Sequence, residues 1–350
     1  LFLLNIRFRM QNRAAFYTES GDDFALSQVE ARVRRLRLRF DGFLYTPRLT
    51  YLIQLSFSRG DMDFESLGYP NVVRDAFVLY AVTKSFSVGI GQTKLPGNRQ
   101  RVTSSGDLQM PDRSIVNTTF NIDRDFGLQM YLRKPNYILR GAISSGEGRN
   151  ISSSDNGLAY TARGELLPFG PFTNGGDYFE GDLAREPKPK ISIGATYSLN
   201  KNATRTGGQL GEYLYTPTDM TTTEIDFLYK HNGWALSAEY MKRTSPEPIT
   251  TNPDDGDIAY VYVGHGMNYQ GSYLFRNNFE IVGKYSLVEP DAEIQSLEKQ
   301  KKQYAMGVNK YIKGHRIKLQ ADATFEENKD LESDALTDLW IFRFQIEVGI

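Results

Sequence analysis

Side-chain polarity along this chain alternates with period two, and the last residues show it most plainly. Trp340, Phe342, Phe344, Ile346, Val348 and Ile350 form one series, with Ile341, Arg343, Gln345, Glu347 and Gly349 between them. Successive side chains of a β-strand point to opposite faces, so the pattern predicts a strand with one apolar and one solvated face. The chain begins in the same way: Phe2, Leu4, Ile6, Phe8 and Met10 are set against Asn5, Arg7, Arg9 and Gln11. The segments 49–57, 191–199, 279–287 and 317–325 repeat it. Runs of about 9–11 residues match a tilted bilayer crossing, whereas strands of soluble sheets run to about 5–6.

The alternation predicts sixteen strands, near residues 2–11, 28–44, 49–58, 75–83, 86–94, 124–133, 137–144, 158–166, 190–200, 223–230, 234–241, 262–275, 279–288, 302–311, 316–325 and 339–350. An even number is what a single-chain outer-membrane barrel requires. Short connections at 45–48, 84–85, 134–136, 231–233, 276–278 and 312–315 alternate with long ones such as 59–74, 95–123, 201–222, 242–261 and 289–301. The 167–189 connection breaks this rule, being long on the short-turn side. Phe86, Tyr137, Trp234 and Phe279 each open a strand after a short turn, on the apolar face, where amphipathic rings mark a bilayer boundary. The predicted fold is an all-β, 16-stranded antiparallel transmembrane β-barrel over residues 1–350, one domain with short periplasmic turns and long extracellular loops. A soluble β-sandwich is the alternative, and it fits sixteen long strands poorly.

Composition removes several function classes. The 350 residues contain no run of about 18 apolar residues, which excludes a helical span. Tyr 21, Phe 21 and Gly 31 against Trp 2 favour strands and tight turns. With no cysteine there is neither a disulfide nor a thiolate metal site. Of three histidines, His231 and His315 fall in short turns, where they read as exposed fillers, and His265 opens a strand; no serine is tied to any of them. We therefore expect no enzyme and no cofactor. The acidic run 252–257, with Asp254, Asp255 and Asp257, is a weak candidate for a hard cation, without EF-hand spacing. The segment 291–302 has the composition of a short loop helix. Leu1 already sits in a strand pattern, so a removed signal peptide and a bacterial outer-membrane location are expected.

Charge is balanced overall, 41 basic against 42 acidic residues, but not along the chain. Residues 1–175 hold 22 cations and 16 acids, and 19 of the 22 are arginine; the second half carries a net −7. Arginine presents a rigid fork to oxyanions. On the polar face of the first two strands lie Arg7, Arg9, Arg32, Arg34, Arg37 and Arg39. The second strand changes phase near Arg34 and Arg35: Val29, Ala31 and Val33 share one parity, and Leu36, Leu38 and Phe40 the other. A β-bulge there keeps all six toward lipid and stacks the arginines on one luminal wall. Charge on the lipid face would cost roughly 2–4 kcal/mol per residue near the midplane. The acids Glu30, Asp41, Glu224, Asp226, Glu239, Glu280, Asp322 and Glu347 are the candidates for luminal ion pairs or for an opposing acidic wall. The 95–123 loop, with Lys94, Arg99, Arg101, Arg113 and Arg124 in or beside it, is expected to fold inward and narrow the lumen.

The run Val88-Gly-Ile-Gly-Gln-Thr-Lys-Leu-Pro96, then Met110-Pro-Asp-Arg-Ser114 and Arg124-Asp-Phe-Gly-Leu-Gln129, resembles the phosphate-selective porin O/P family. So do Ala159-Tyr-Thr-Ala-Arg-Gly-Glu-Leu-Leu-Pro168 and Gly176-Asp-Tyr-Phe-Glu-Gly-Asp182. The resemblance implies a barrel, often trimeric, that passes anions through an arginine- and lysine-lined constriction. Lys94, Arg113 and Arg124 match motif positions, the Arg32 to Arg39 column matches in character, and Arg99 and Arg101 have no assigned position. The expected function is passive diffusion of small hydrophilic solutes with a preference for anions such as phosphate, with outer-membrane lipid and small anions as partners and no nucleic acid. The alternative is a plugged barrel serving as an accessory subunit, with partner proteins docking at 167–189.

Overall fold

In a computed structural model, which describes residues 1–62, 68–151 and 157–350, the alternating segments pair edge to edge until the first meets the last. The wall runs β1 (Phe2–Thr18), β2 (Leu26–Leu44), β3 (Leu49–Ser56), β4 (Val73–Ala81), β5 (Phe86–Lys94), β6 (Arg124–Arg133), β7 (Tyr137–Ser144), β8 (Ala159–Leu166), β9 (Lys190–Arg205), β10 (Tyr213–His231) and β11 (Trp234–Thr244). It continues with β14 (Gly264–Leu274), β15 (Phe279–Pro290), β16 (Gln300–Lys313), β17 (Ile317–Lys329) and β18 (Leu336–Gly349). Strand β18 closes on β1 in an antiparallel register from Arg9 opposite Gly349 to Tyr17 opposite Ile341. Closure leaves no free sheet edge, the condition for backbone in lipid.

Each strand expected from the alternation is present, and several run further toward the long loops, β1 and β10 most of all. The β1 extension keeps its partners on β2 and β18, whereas the β10 extension pairs with β9 through two register shifts. A small hairpin, β12 (Ile249–Thr251) with β13 (Ile258–Tyr260), was not anticipated in the 245–263 loop. The helix expected over 291–302 is a single 3-10 turn at Ala292–Ile294, because β16 already begins at Gln300.

The anticipated bulge lies in β2. Gln11 faces Arg35 and Asn12 faces Val33, which leaves Arg34 as the extra residue. Tight turns on the short rim rest on left-handed residues: Asn232 (φ 48) and Gly233 (φ 91) give the Asn-Gly pair that matches strand twist. On the same rim Trp234, Tyr273, Phe275 and Phe279 form a ring chain with centroids 4.8, 5.0 and 6.2 Å apart in turn.

The barrel is polar inside and apolar outside. Phe344 and Ile346 are half exposed on the outer face, while Lys318 and Glu347 are fully buried within. Apolar contacts inside the wall serve to hold inserted segments. The 95–123 loop folds into the lumen with two short helices, Arg99–Val102 and Ile115–Phe120, capped by Asn98 and Ser114 side chains. Val116 and Phe120 pack on Met241 and Val288, and Met110 packs on Val282 and Ala305.

The 167–189 segment also turns inward from the short-turn rim. Phe172 packs with Ile138, Leu167 and Leu228, and the Glu180 N–H donates to the Asp107 carbonyl at 2.8 Å, joining the two inserted segments. His315 and His231 are not exposed fillers. Their ring nitrogens lie 3.0 Å from the Glu180 carbonyl and 3.1 Å from the Glu186 carbonyl, and they hold this segment in place.

Candidate functional site

The two inserted segments occupy part of the lumen and leave open space beside β2, β4 and the inserted loop, with Lys284 of β15 and Arg343 of β18 also facing it. There the sequence places arginine after arginine. A cavity of about 530 Å³ opens toward the long loops, lined by ten arginines and Lys284 against three aspartates, Asp61, Asp112 and Asp123. A second, of about 180 Å³, lies toward the short turns, with six arginines and Lys94 against Asp75. Arg37, Arg74, Arg101 and Arg113 line both. These four mark the boundary where one cavity meets the other.

Two of the four stand on the wall and two on the inserted loop. Arg37, on β2, donates from Nε to Asp61 at 2.6 Å and from Nη1 to the Ser105 hydroxyl at 2.7 Å. Arg74, on β4, reaches the same Asp61 carboxylate at 3.0 Å. Arg113 is held by carbonyls, donating to Gln100 and Thr103 at 2.9 Å each. Arg101 pairs with Asp123. The Nε groups of Arg35, Arg74 and Arg101 are buried with no hydrogen-bond partner among the described residues.

Cations dominate the field at this boundary. Burial pushes Arg113 down to about 10, with Arg124 and Arg34 adding to that effect against the opposing pull of Glu180 and Asp61. Burial, followed by Arg113, Arg124, Arg74 and Arg149, holds Arg101 well below the ordinary guanidinium range. Burial alone would raise the Asp112 carboxyl, but Arg34, Arg13 and Arg343 hold it well below the usual range. A charge-assisted hydrogen bond from Arg to an oxyanion is about twice as strong as a neutral one, so unsatisfied guanidinium N–H groups in such a field favour anions.

The sequence-predicted residues divide into four groups. Arg37, Arg101 and Arg113 stand at the boundary; Arg32 and Arg34 line the outer cavity, and Arg39, Lys94 and Arg124 the inner one. Lys94 Nζ donates to the Val102 and Thr103 carbonyls at 3.1 and 3.0 Å, and Arg124 chelates Asp75 at 3.0 and 3.2 Å. Arg7 and Arg9 lie nearer the short turns and line neither cavity. Arg7 is half exposed beside Asp41 at 3.2 Å, and Arg9 pairs with Glu347 at 2.9 Å.

Arg99 is turned away from both cavities, toward Glu165 and Asp226 on the opposite wall. The acidic second half does not form an opposing wall across the open space. Glu239 accepts from the Asn98 side chain and the Gln100 N–H, and Glu280 accepts from Gln109, so these acids face the inserted loop. Glu30, Asp41 and Asp322 pair with Arg13, Arg39 and Arg343.

Arg13, Arg35, Arg74, Arg149, Lys284 and Arg343 also line the outer cavity and were not singled out. Parity alone identifies three of them: Arg13 continues the Arg7 and Arg9 series, Lys284 lies on the polar side of the 279–287 alternation, and Arg343 lies between lipid-facing Phe342 and Phe344. The acidic residues Asp254, Asp255 and Asp257 remain exposed at a loop tip shaped by Asx turns, with the Asp257 N–H on Asp255 at 3.0 Å. No cluster able to hold a metal ion occurs among the described residues.

Comparison with known proteins agrees with this architecture. The family model for phosphate-selective porin O and P matches residues 4–346. A protein of Aquifex aeolicus described as uncharacterized is 24% identical over 368 residues, covering 93% of this chain and 83% of that protein. Among solved structures, the outer membrane channel DcaP of Acinetobacter baumannii superposes with a TM-score of 0.63 at 12% identity, covering 100% of this chain and 97% of that one. The anion-selective porin from Comamonas acidovorans gives 0.60 at 13% identity, with 100% of both chains covered.

Proposed function

Since this chain belongs to the phosphate-selective porin O and P family, whose members are channels of the bacterial outer membrane, we propose that it passes small anions, with phosphate-like oxyanions preferred, between Arg37, Arg74, Arg101 and Arg113. Family and fold point to a channel rather than an enzyme. The observation that carries the anion reading is that these four cations border both cavities. Guanidinium groups replace part of an anion's hydration with charge-assisted hydrogen bonds. Conduction needs sites strong enough to admit the ion and numerous and weak enough to release it. Two cation-lined cavities in series meet that need without a single tight site, and the charge excess concentrates anions at the mouth.

Planar-bilayer recording in a chloride gradient, followed by added phosphate, tests this reading. The expected result is an anion-selective reversal potential with chloride current blocked by phosphate, both weakened in the Arg37→Gln/Arg113→Gln variant. Cation selectivity, or selectivity unchanged in that variant, would overturn it. Folded protein without conductance would favour the plugged accessory barrel, a reading supported by the contact of Glu180 with Asp107 that joins the two inserted segments.

A further inference from the structure

A third cavity, of about 480 Å³, lies at the long-loop rim and differs in character from the other two. Its walls include Leu210, Ile258, Ala259, Tyr260 and Tyr262, contributed by the 206–212 loop, the β12–β13 hairpin and the residues leading into β14. The charged residues around it, Arg243 and Lys301 against Glu212 and Glu298, cancel. It adjoins the outer cation-lined cavity, since Thr118, Asn121 and Leu210 line both. A solute entering through this chamber meets apolar and aromatic surface first and arginine next.

The chamber is built rather than incidental. Tyr262 is fixed edge-on against Phe120 of the inserted loop, with ring centroids 5.5 Å apart. Arg243 donates to the Thr119 and Asn121 carbonyls at 3.0 and 3.3 Å, which holds the end of that helix against the wall. Two polar atoms in the lining, the Tyr262 hydroxyl and Asn121 Oδ1, are buried without a hydrogen-bond partner among the described residues. A buried polar group without a partner is costly, and these two offer polar contacts to a molecule seated between apolar walls. Chambers that combine apolar walls with a few convergent polar groups are the ordinary form of a small-molecule site.

We infer that the third cavity binds the apolar body of an organic anion, an aromatic ring or short hydrocarbon chain, and delivers its charged end to the adjoining arginine-lined cavity. This rests on the anion reading above and narrows the substrate class to amphipathic oxyanions.

The test compares phenylphosphonate with methylphosphonate as blockers of chloride current, added symmetrically to the channel in a planar bilayer. The two probes share a headgroup and differ in apolar body. Phenylphosphonate is expected to halve the current at about tenfold lower concentration, a ratio typical of an added buried apolar surface of that size. In the Ile258→Ser/Tyr260→Ser variant the ratio is expected to fall below about twofold. A second variant, Tyr262→Phe, keeps the ring, removes the orphan hydroxyl and is expected to reduce block by phenylphosphonate selectively. Single-channel chloride current shows that the pore is assembled in each case. An anion-selective channel blocked equally by both probes overturns the inference alone, as does a preference that survives both variants. Cation selectivity overturns it together with the reading on which it rests.

Discussion

Arg99 Nη2 donates a 2.6 Å hydrogen bond to Glu165 Oε2, and both side chains are buried on the wall opposite the cation-lined space. The same nitrogen reaches the Ser192 hydroxyl at 2.6 Å, and Arg99 Nη1 reaches the Asp177 carbonyl at 3.0 Å. One guanidinium thus ties the inserted 95–123 loop to β8, β9 and the 167–189 segment. Removing one partner of a buried ion pair typically costs about 3–5 kcal/mol. Arg99→Gln is therefore expected to loosen the loop, seen as faster amide exchange over residues 98–113 and noisier current, while the reversal potential stays anion-selective. Lost selectivity with a quiet current would instead place Arg99 on the ion path.

Asp112 lines the outer cavity with guanidinium groups on several sides. It accepts from Arg13 and from Arg34, the latter at 3.1 Å, and lies 3.7 Å from Arg343. The Asp112→Asn substitution removes one negative charge from this cluster and leaves three guanidinium groups short of a partner. A unit charge about 7 Å away is worth roughly 2 kcal/mol at an effective dielectric of about 20, before salt screening. We expect phosphate to block the variant at about three- to tenfold lower concentration, measured at low ionic strength, with the gain shrinking as salt rises. Unchanged block would mean that these arginines engage only one another's partners and not the solute.

Acid sensitivity follows from the other loop carboxylate. Burial would raise Asp61, but Arg37, Arg74 and Arg35 hold it well below the ordinary carboxylate range. A carboxyl depressed in the folded state stabilises it fully above its unfolded value, and that contribution is lost only as pH falls through the lower, folded value. The Asp61 contacts with Arg37 and Arg74 are therefore expected to survive to about pH 4, close to the value of a free aspartate. Single-channel conductance recorded from pH 7 down to that point should show no step assignable to this pair. A step near pH 5 that disappears in Asp61→Asn would overturn the assignment.

Period two was sufficient to read the barrel, because lipid outside and water inside impose opposite demands on alternate residues of every strand. It even located the bulge to Arg34 and Arg35, since an extra residue there reconciles Val33 with Leu36, and the structure assigns it to Arg34. The partners of the arginines were harder to read. Arg99 and Arg101 are two residues apart on one short helix, yet one joins Glu165 across the lumen and the other joins Asp123 beside the cavity. Such pairings depend on how a loop folds in three dimensions, which alternation does not encode. The inward course of that loop did leave a trace: Leu108, Met110, Val116 and Phe120 are too apolar for a solvated connection, and all four are buried. The acidic second half was hard to place for the same reason: Glu239 and Glu280 serve the inserted loop, whereas Asp322 and Glu347 pair with arginines of the wall.

Phe120 gives the last test, at the opposite end of the inserted loop from Arg99. Its ring is fully buried among Val116, Met241 and Val288 and meets Tyr262 edge-on. Truncating a buried phenylalanine costs about 3–5 kcal/mol, through lost transfer energy and the cavity left behind. The barrel ladder does not depend on this ring, because β11, β14 and β15 pair through their backbones. The cost of Phe120→Ala therefore falls on the docking of the loop rather than on closure of the wall. Heat-resistant barrel mobility in detergent gels should persist, while limited proteolysis cuts newly within 115–123 and the current fluctuates more. Phenylphosphonate block should weaken more than phosphate block, since Tyr262 loses its supporting edge while Arg37 and Arg74 keep their places on β2 and β4. Loss of the folded barrel itself would show that the loop is part of the barrel's stability rather than a segment docked upon it.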